Sequence, residues 1–318
     1  EGSLGGKGRG LAFIDNLVKH HPEINRFDNA TVMIPKTVVL CTDLFEEFME
    51  TNNLSQLALS DVDDSTILDA FRRARLPEQL EGDLLTFVDA LRCPVAVRSS
   101  SLLEDSHYQP FAGIYNTYMV PYLDNHGRML SMLCDAIKGV YASVYFKDSK
   151  AYMQATRNVI DEEKMAVVLQ EVVGRRYGDH FYPNISGVGR SLNYYPLDDE
   201  RAEEGTVSLA LGLGKYIVDG GRTLRVCPAH PARVLQTSDT EMALRETQTR
   251  FCALDLKNMG ENFSVDDGFN LLRLPVKVAD ADGALQFIAS TFNPNVLVIN
   301  HRLYTDGRKF ISFVGVLE

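Results

Sequence analysis

Residues 94–101 read Pro-Val-Ala-Val-Arg-Ser-Ser-Ser, a short apolar run that ends in one arginine and three hydroxyl side chains. The apolar run predicts a buried strand over Pro94–Arg98. The arginine and serines therefore emerge together where the strand leaves its sheet, and open α/β proteins bind ligands at such ends. A guanidinium also matches phosphate oxygens bidentately. The alternative is a structural turn in which Arg98 pairs with Glu104 or Asp105.

A glycine cluster, Gly5-Gly6-Lys7-Gly8-Arg9-Gly10, lies just before a helix predicted from the apolar spacing between Leu11 and Val18. Flexible backbone, free N–H groups and the Lys7 ammonium would suit a phosphate group. The cluster is not a P-loop, because Glu1 stands where the first glycine is required. It is not a dinucleotide loop either, because Leu11 replaces the third glycine. A floppy terminus or solvated loop is the alternative interpretation.

A second glycine-rich segment, Gly212-Leu213-Gly214-Lys215, closes a predicted strand and is soon followed by Gly220-Gly221. The backbone must turn tightly there or approach another group closely. A plain loop would satisfy the same pattern.

The remaining periodicity predicts a mixed α/β protein. One or two helices bounded by Pro77 are predicted within 60–92, and one long helix over 128–155. Strands are predicted at Val38–Leu40, Met165–Val173, Thr206–Leu211, Val234–Gln236, Leu271–Val278, Val296–Ile299 and Phe310–Val316. Asp306-Gly307 is a hairpin signal between the last two strands, and the polar stretch Gly174–His180 is predicted to connect two lobes.

The amino-acid composition disfavours some classes of function. The 318 residues include 43 acidic and 32 basic side chains, a formal charge of −11, which disfavours nucleic acid or an anionic membrane as partner. The length suggests two domains, which we place at 1–173 and 174–318. The cysteines form no C-x-x-C pair, so we expect reduced thiols in a cytoplasmic protein. Apolar runs are far shorter than the roughly 20 residues of a membrane span.

Taken in order, these motifs resemble the N-terminal nucleotide-binding domain, of ATP-grasp fold, shared by phosphoenolpyruvate synthase and pyruvate phosphate dikinase. The glycine cluster followed by Leu11-Ala12 is similar to the family's opening loop. The densest likeness joins Val95–Ser100, Glu104-Asp105, Phe111–Gly113, Tyr115 and Thr117 to the family's V-A-V-R-S-S…E-D…F-A-G-x-Y-x-T segment. Met165–Val173, Ile185–Val188 and Gly212–Gly214 resemble later segments. The likeness covers about residues 5 to 221.

The resemblance implies a two-lobed α/β domain with mixed or antiparallel sheets that binds ATP with Mg²⁺. It assigns Lys7 and Arg98 to the ATP phosphates as catalytic residues. Further nucleotide-binding residues would be Gly5, Gly6, Gly8, Ser99, Ser100, Gln170, Glu171, Val172, Val173, Gly212 and Gly214, with 170–173 facing adenine. In the whole enzymes this domain passes a phosphoryl group to a histidine on a second domain, which carries it to pyruvate on a third. Those phosphohistidine and pyruvate-binding domains of the parent chain are the implied partners.

Some residues depart from the family pattern. Leu102 stands where the family usually has threonine, and Lys215 replaces a glutamate. Nothing after Val298 matches the closing segment that supplies the metal carboxylate, so the 174–318 lobe is predicted to stop before it. The Mg²⁺ ligands are then expected outside this chain, and the chain alone is expected to be inactive. The alternatives are a degenerate nucleotide sensor or interaction module, or a phosphotransferase acting on an antibiotic or a glucan.

Overall fold

The computed structural model describes residues 2–101, 115–156, 163–257, 271–293, 298–300 and 307–317. Contacts divide the chain into two compact units, unit 1 with Glu1–Val172 and unit 2 with Val173–Lys257 and Leu271–Glu318. Each unit has a hydrophobic core of its own. Among the described residues, no helix has both the length and the apolar character needed to cross a bilayer.

Unit 1 packs helices on one antiparallel sheet. Its helices are α1 (Gly5–His20), α2 (Thr42–Thr51), α3 (Ser55–Leu59), α4 (Asp64–Arg73), α5 (Glu78–Ala90), α6 (His126–Ser143) and α7 (Lys147–Thr156), with a 3₁₀ turn at Pro22–Asn25. Its strands are β1 (Thr37–Leu40), β2 (Val95–Ser100), β3 (Thr117–Val120) and β4 (Ala166–Glu171), in the order β1-β4-β2-β3.

The core of unit 1 lies between this sheet and the helices α2 to α6. Val95 and Val97 of β2 and Val167 and Leu169 of β4 point into it and are fully buried. Successive strand residues point to opposite faces, so Arg98 on β2 points away from that core. The alternation of β2 thus places its arginine on the other face of the sheet.

Unit 2 is built mainly from short antiparallel strands. Its strands are β5 (Arg175–Tyr177), β6 (His180–Tyr182), β7 (Ser186–Arg190), β8 (Thr206–Ala210), β9 (Leu224–Val226), β10 (Arg250–Asp255), β11 (Leu271–Pro275), β12 (Ala289–Asn293), β13 (Val298–Asn300) and β14 (Arg308–Ile311). They form sheets of order β11-β10-β6-β5, β7-β8-β9 and β13-β12-β14. The helices are α8 (Lys215–Val218), α9 (Thr240–Glu246), α10 (Val276–Ala281) and α11 (Val314–Leu317), with 3₁₀ turns at Ala202–Glu204 and Leu235–Thr237.

The mixed α/β class with antiparallel sheets is confirmed, as are the strands at Val38–Leu40 and within Met165–Val173 and the helices around Pro77. The single helix predicted over 128–155 is wrong, because α6 ends at Ser143 and α7 begins at Lys147. Between them, the amide of Tyr145 donates to Ala142 at 2.9 Å, three residues back. The Ser149 hydroxyl donates to the Ser143 carbonyl at 2.6 Å, where the helix would need a backbone amide.

Several predictions in unit 2 are also wrong. Val234–Gln236 is not a strand, since Leu235–Thr237 forms a 3₁₀ turn. The strand predicted over Leu271–Val278 ends at Pro275, which caps α10 in an extended conformation. The stretch Gly174–His180 contains β5 and the first residue of β6, and its role in connecting two lobes stays a prediction.

The hairpin predicted near the end of the chain is wrong as well. Strands β13 and β14 each pair with β12 instead of with each other. Of its turn signal, Gly307 precedes β14, whereas Asp306 lies outside the described residues.

Candidate functional site

Hydrogen bonds join the start of α1 to the end of β2. The amide of Gly6 donates to the Ser101 carbonyl at 3.0 Å, and the amide of Gly8 donates to Ser100 Oγ at 3.0 Å. Ser100 Oγ in turn donates to the Leu4 carbonyl at 2.8 Å. The glycine cluster therefore forms the first six residues of α1 and is not a loop before it.

Gly5 allows this close approach. Its φ is +68°, and a Cβ on it would lie 1.6 Å from the Ser100 carbonyl oxygen. Glycine lacks the Cβ and tolerates a positive φ. Gly10, in the same helix, has no atom from another described part of the chain within 4 Å of the equivalent position. The requirement for glycine is thus local to the contact between α1 and β2.

Lys7 extends from this turn to the same strand. Its Nζ donates to Ser99 Oγ at 3.4 Å. Ser99 is buried, with 1% of its surface exposed, and Lys7 is half-buried. The ammonium therefore lies beside the residue that follows Arg98.

Arg98 lies in a row of residues that crosses the sheet. Directly opposed residues share a face, and Arg98 is opposed by Val168 on β4, which is opposed in turn by Val39 on β1. A Cβ on Gly8 would lie 3.3 Å from Val39 Cγ1. The first turn of α1 and the Arg98 side chain therefore lie on the same face of the sheet.

Polar side chains hold the guanidinium on that face. Arg98 Nη1 donates to Gln170 Oε1 at 3.4 Å, and Gln170 Nε2 donates to Thr37 Oγ1 at 3.0 Å. Thr37 Oγ1 donates to the Pro35 carbonyl at 2.8 Å. This chain of hydrogen bonds, which we call the cross-strand chain, links β2, β4 and β1 and orients Arg98.

The predicted adenine segment continues from β4. The amide of Glu171 donates to the Lys36 carbonyl at 3.0 Å, and that of Val172 donates to Pro94 at 2.9 Å. The Glu171 carboxylate lies 3.5 Å from Lys36 Nζ. Burial, helped by the Glu171 charge, raises the pKa of the nearby Cys93 thiol to about 11. The start of this segment is thus tied into the sheet.

The other predicted nucleotide-binding residues lie in unit 2. Val173 is exposed. Gly212 has φ +88°, and a Cβ there would lie 2.6 Å from the Cys252 carbonyl oxygen. Gly214 precedes α8, where Lys215, which replaces the family's glutamate, pairs with Asp219 at 3.1 Å. Within unit 1, hydrogen bonds link Lys7 with Ser99, Gly8 with Ser100, and Arg98 with Gln170. Leu102 lies outside the described residues.

Sequence reasoning missed one member of this arrangement, Thr37, which accepts from Gln170 in the cross-strand chain. Ser101 belongs to the serine run seen in the sequence, but it accepts the Gly6 amide through its backbone carbonyl. Thr37 could not have been found, because the register that sets it opposite Gln170 is not written in the local pattern.

The polar groups of this arrangement are hydroxyls, an amide and two cations. A Mg²⁺ site takes oxygen ligands led by carboxylates, so these groups do not make one. Within the part of the chain that the structure describes, no group of three or more His, Cys, Asp or Glu residues could hold a metal ion.

Two cations and buried hydroxyls thus lie where α1 contacts the end of β2 in a mixed α/β protein. Residues 1–262 match the family of the pyruvate phosphate dikinase AMP/ATP-binding domain, and the chain belongs to that family. The resemblance seen in the motifs is thereby confirmed.

The chain is also 28% identical over 190 residues to the uncharacterized phosphotransferase YvkC of Bacillus subtilis (strain 168). That match covers 60% of this chain and 20% of the relative, so the chain spans about a fifth of that protein.

Proposed function

We propose that the chain binds ATP, with Lys7 and Arg98 contacting its phosphates and Ser99 and Ser100 lining the same pocket. The observation that carries this proposal is the set of hydrogen bonds that join α1 to β2. With α1 in this position, the Lys7 ammonium lies 3.4 Å from Ser99 Oγ, and Ser99 is next to Arg98 in the chain. Membership in an AMP/ATP-binding family supports it. Charge-assisted hydrogen bonds to phosphate are about twice as strong as neutral ones.

The glycines have a scaffolding role in this proposal. The amides of Gly6 and Gly8 donate to β2, so the phosphate contacts come from side chains. Gly5 permits the contact itself. Glu171, Val172 and Val173 follow Gln170 along the chain and would face adenine, and Gly212 and Gly214 stay predicted nucleotide-binding residues.

We further propose that bound ATP supplies a phosphoryl group to a histidine on another domain of the parent chain, and from there to a pyruvate-binding domain. The phosphotransferase relative supports the general reaction class. Such transfer depends mainly on positioning and electrostatic stabilisation, which Lys7 and Arg98 would provide. Mg²⁺, with ligands outside this chain, would neutralise phosphate charge when bound. The free cysteines suit a reducing compartment, and we place the protein in the cytoplasm.

Calorimetric titration with ATP tests the proposal. Lys7→Ala and Arg98→Ala should each weaken binding about 10- to 100-fold, because each removes a hydrogen bond to a charged group worth roughly 1.5–3 kcal/mol. Lys19→Ala, at the other end of α1, and Arg128→Ala, exposed on α6, are the matched controls and should leave the Kd unchanged. Equal affinity in all four variants would disprove the proposed site. ATP binding by the whole protein without histidine phosphorylation would favour the nucleotide-sensor alternative.

A further inference from the structure

A pocket of about 420 Å³ lies in unit 2, between the β5–β6 hairpin and the turn at 282–288 that follows α10. Its lining includes Arg175, Tyr177, Asn184, Asp282, Gln286 and Phe287. These residues are separate from the Lys7 and Arg98 site of unit 1. Its volume is in the range of sites for small molecules, about 300–1,000 Å³.

The floor of the pocket is fixed by hydrogen bonds between its two walls. Tyr177 Oη donates to Asn184 Oδ1 at 2.9 Å, and Asn184 Nδ2 donates to the Ala284 carbonyl at 2.9 Å. Tyr182 Oη donates to Asp282 Oδ2 at 2.7 Å. Burial and this bond to Asp282 raise the pKa of Tyr182, so its hydroxyl stays a donor. The pocket is therefore formed before any ligand arrives.

A cationic group stands at the mouth of the pocket. Arg175 and its neighbour Arg176 are exposed, and the Arg175 guanidinium lies 5.8 Å from the centre of the Tyr177 ring. That cation–π contact holds Arg175 on the side of the hairpin shared with Tyr177. Arg176 is the next residue of β5, so its side chain points to the opposite face, and its Nε donates to the Gly178 carbonyl at 3.0 Å. The Arg175 guanidinium, in a chain of net charge −11, favours an anionic ligand, phosphate above all.

Phe287 supplies an aromatic wall under backbone strain. Its φ is +71°, although a bulky side chain disfavours this conformation. Leu285 and Ile288 beside it are buried, whereas 64% of Phe287 is exposed. Because most of the ring is exposed, its burial does little to offset the backbone strain. Residues with strained backbone cluster at ligand-binding sites.

We propose that this pocket binds a phosphorylated small molecule with a planar ring, of the size of a mononucleotide. The phosphate would lie on Arg175, and the ring would pack on Phe287. The Asp282 carboxylate, fixed by Tyr182, would accept a hydrogen bond from an amino group of the ring.

The test uses AMP as the probe and calorimetry on the full chain carrying Arg98→Ala, which removes an arginine from the unit 1 site. AMP should still bind this protein. Adding Arg175→Ala should weaken AMP binding at least about tenfold through the lost charged hydrogen bonds. Phe287→Gly should weaken it at least about fivefold through lost stacking, while it raises the melting temperature because the strain is relieved. Arg190→Ala, an exposed arginine of β7, is the control and should change nothing.

Two further probes separate the parts of the ligand. Ribose 5-phosphate, which lacks the base, should bind as weakly as AMP binds Phe287→Gly, and inorganic phosphate should bind more weakly still. The proposal is overturned if AMP does not bind the Arg98→Ala protein, or binds its Arg175→Ala and Phe287→Gly forms with unchanged affinity. Failure of the ATP proposal would give a different result, because ATP would then bind the Arg98→Ala protein with unchanged affinity.

Discussion

Single residues set the contact on which the proposed ATP site depends, and Gly5 is the most constrained of them. A Cβ at Gly5 would overlap the Ser100 carbonyl and require a left-handed backbone. Gly5→Ala should lower the free energy of unfolding by at least about 2 kcal/mol, from overpacking and a positive φ. Urea unfolding followed by circular dichroism measures this change.

Gly10→Ala is the matched control in the same helix. Because no other described segment of the chain lies within 4 Å of a Cβ at that position, alanine should raise the free energy of unfolding by about 0.5–1 kcal/mol, through lower chain entropy in the unfolded state. Equal effects of the two substitutions would show that Gly5 does not hold α1 against β2.

At these positions the sequence identified the residue types and not their roles. Lys7 stood out as a cation within a glycine cluster. Arg98 and the serines stood out as a cation and hydroxyls at the end of a strand. The sequence could not show that the amides of Gly6 and Gly8 are used within the protein, because their acceptors, Ser101 and Ser100, are distant in the chain. Such a role depends on which elements meet in the folded chain.

At the scale of elements, the sheet of unit 1 positions Arg98 through the cross-strand chain. Gln170→Leu keeps the strand and removes the acceptor of Arg98 Nη1. ATP binding should weaken about two- to tenfold, because Arg98 loses one hydrogen bond that orients it but keeps its charge. Calorimetry should show no further loss when Gln170→Leu is added to Arg98→Ala, because Gln170 acts through Arg98.

Gln79→Leu, an exposed glutamine on α5, should leave ATP affinity unchanged in either background. If Gln170→Leu weakens ATP binding by the same factor with and without Arg98, then Gln170 contacts the nucleotide directly. That is the role expected of it from the family resemblance, in which 170–173 face adenine. The double-substitution cycle thus decides between a positioning and a binding role.

Long apolar runs were the elements that the sequence predicted well. The run at 165–169 became β4, whose first residues are fully buried. Pro77 marked the start of α5 because proline cannot continue a helix from before it. The break between α6 and α7 was not predictable from apolar spacing, because the face of the helix continues while Ser149 takes the Ser143 carbonyl. The pairing of β13 and β14 with β12 also depends on tertiary contacts.

At the scale of the whole molecule, the chain holds two hydrophobic cores. In unit 1, Phe48 contacts Phe71 and Tyr141, with ring centres 5.7 and 5.4 Å apart. In unit 2, Tyr182 packs on Phe251 at 4.7 Å. Length alone suggested two domains, and 1–173 with 174–318 was the division proposed from the sequence. Two separate sets of buried rings give that division a physical test.

We expect the two cores to be energetically separable. Phe71→Ala and Phe251→Ala each remove a fully buried ring and should lower the stability of their own unit by roughly 3–5 kcal/mol. Hydrogen exchange by mass spectrometry should show faster exchange throughout the strands of unit 1 for Phe71→Ala, with unit 2 unchanged, and the reverse for Phe251→Ala. ATP should slow exchange in α1, β2 and β4 of the Phe251→Ala protein as in the unsubstituted chain, because Lys7 and Arg98 belong to unit 1. Uniform acceleration across both units in either variant would mean that the chain opens as one cooperative body and that the two cores are a single folding unit.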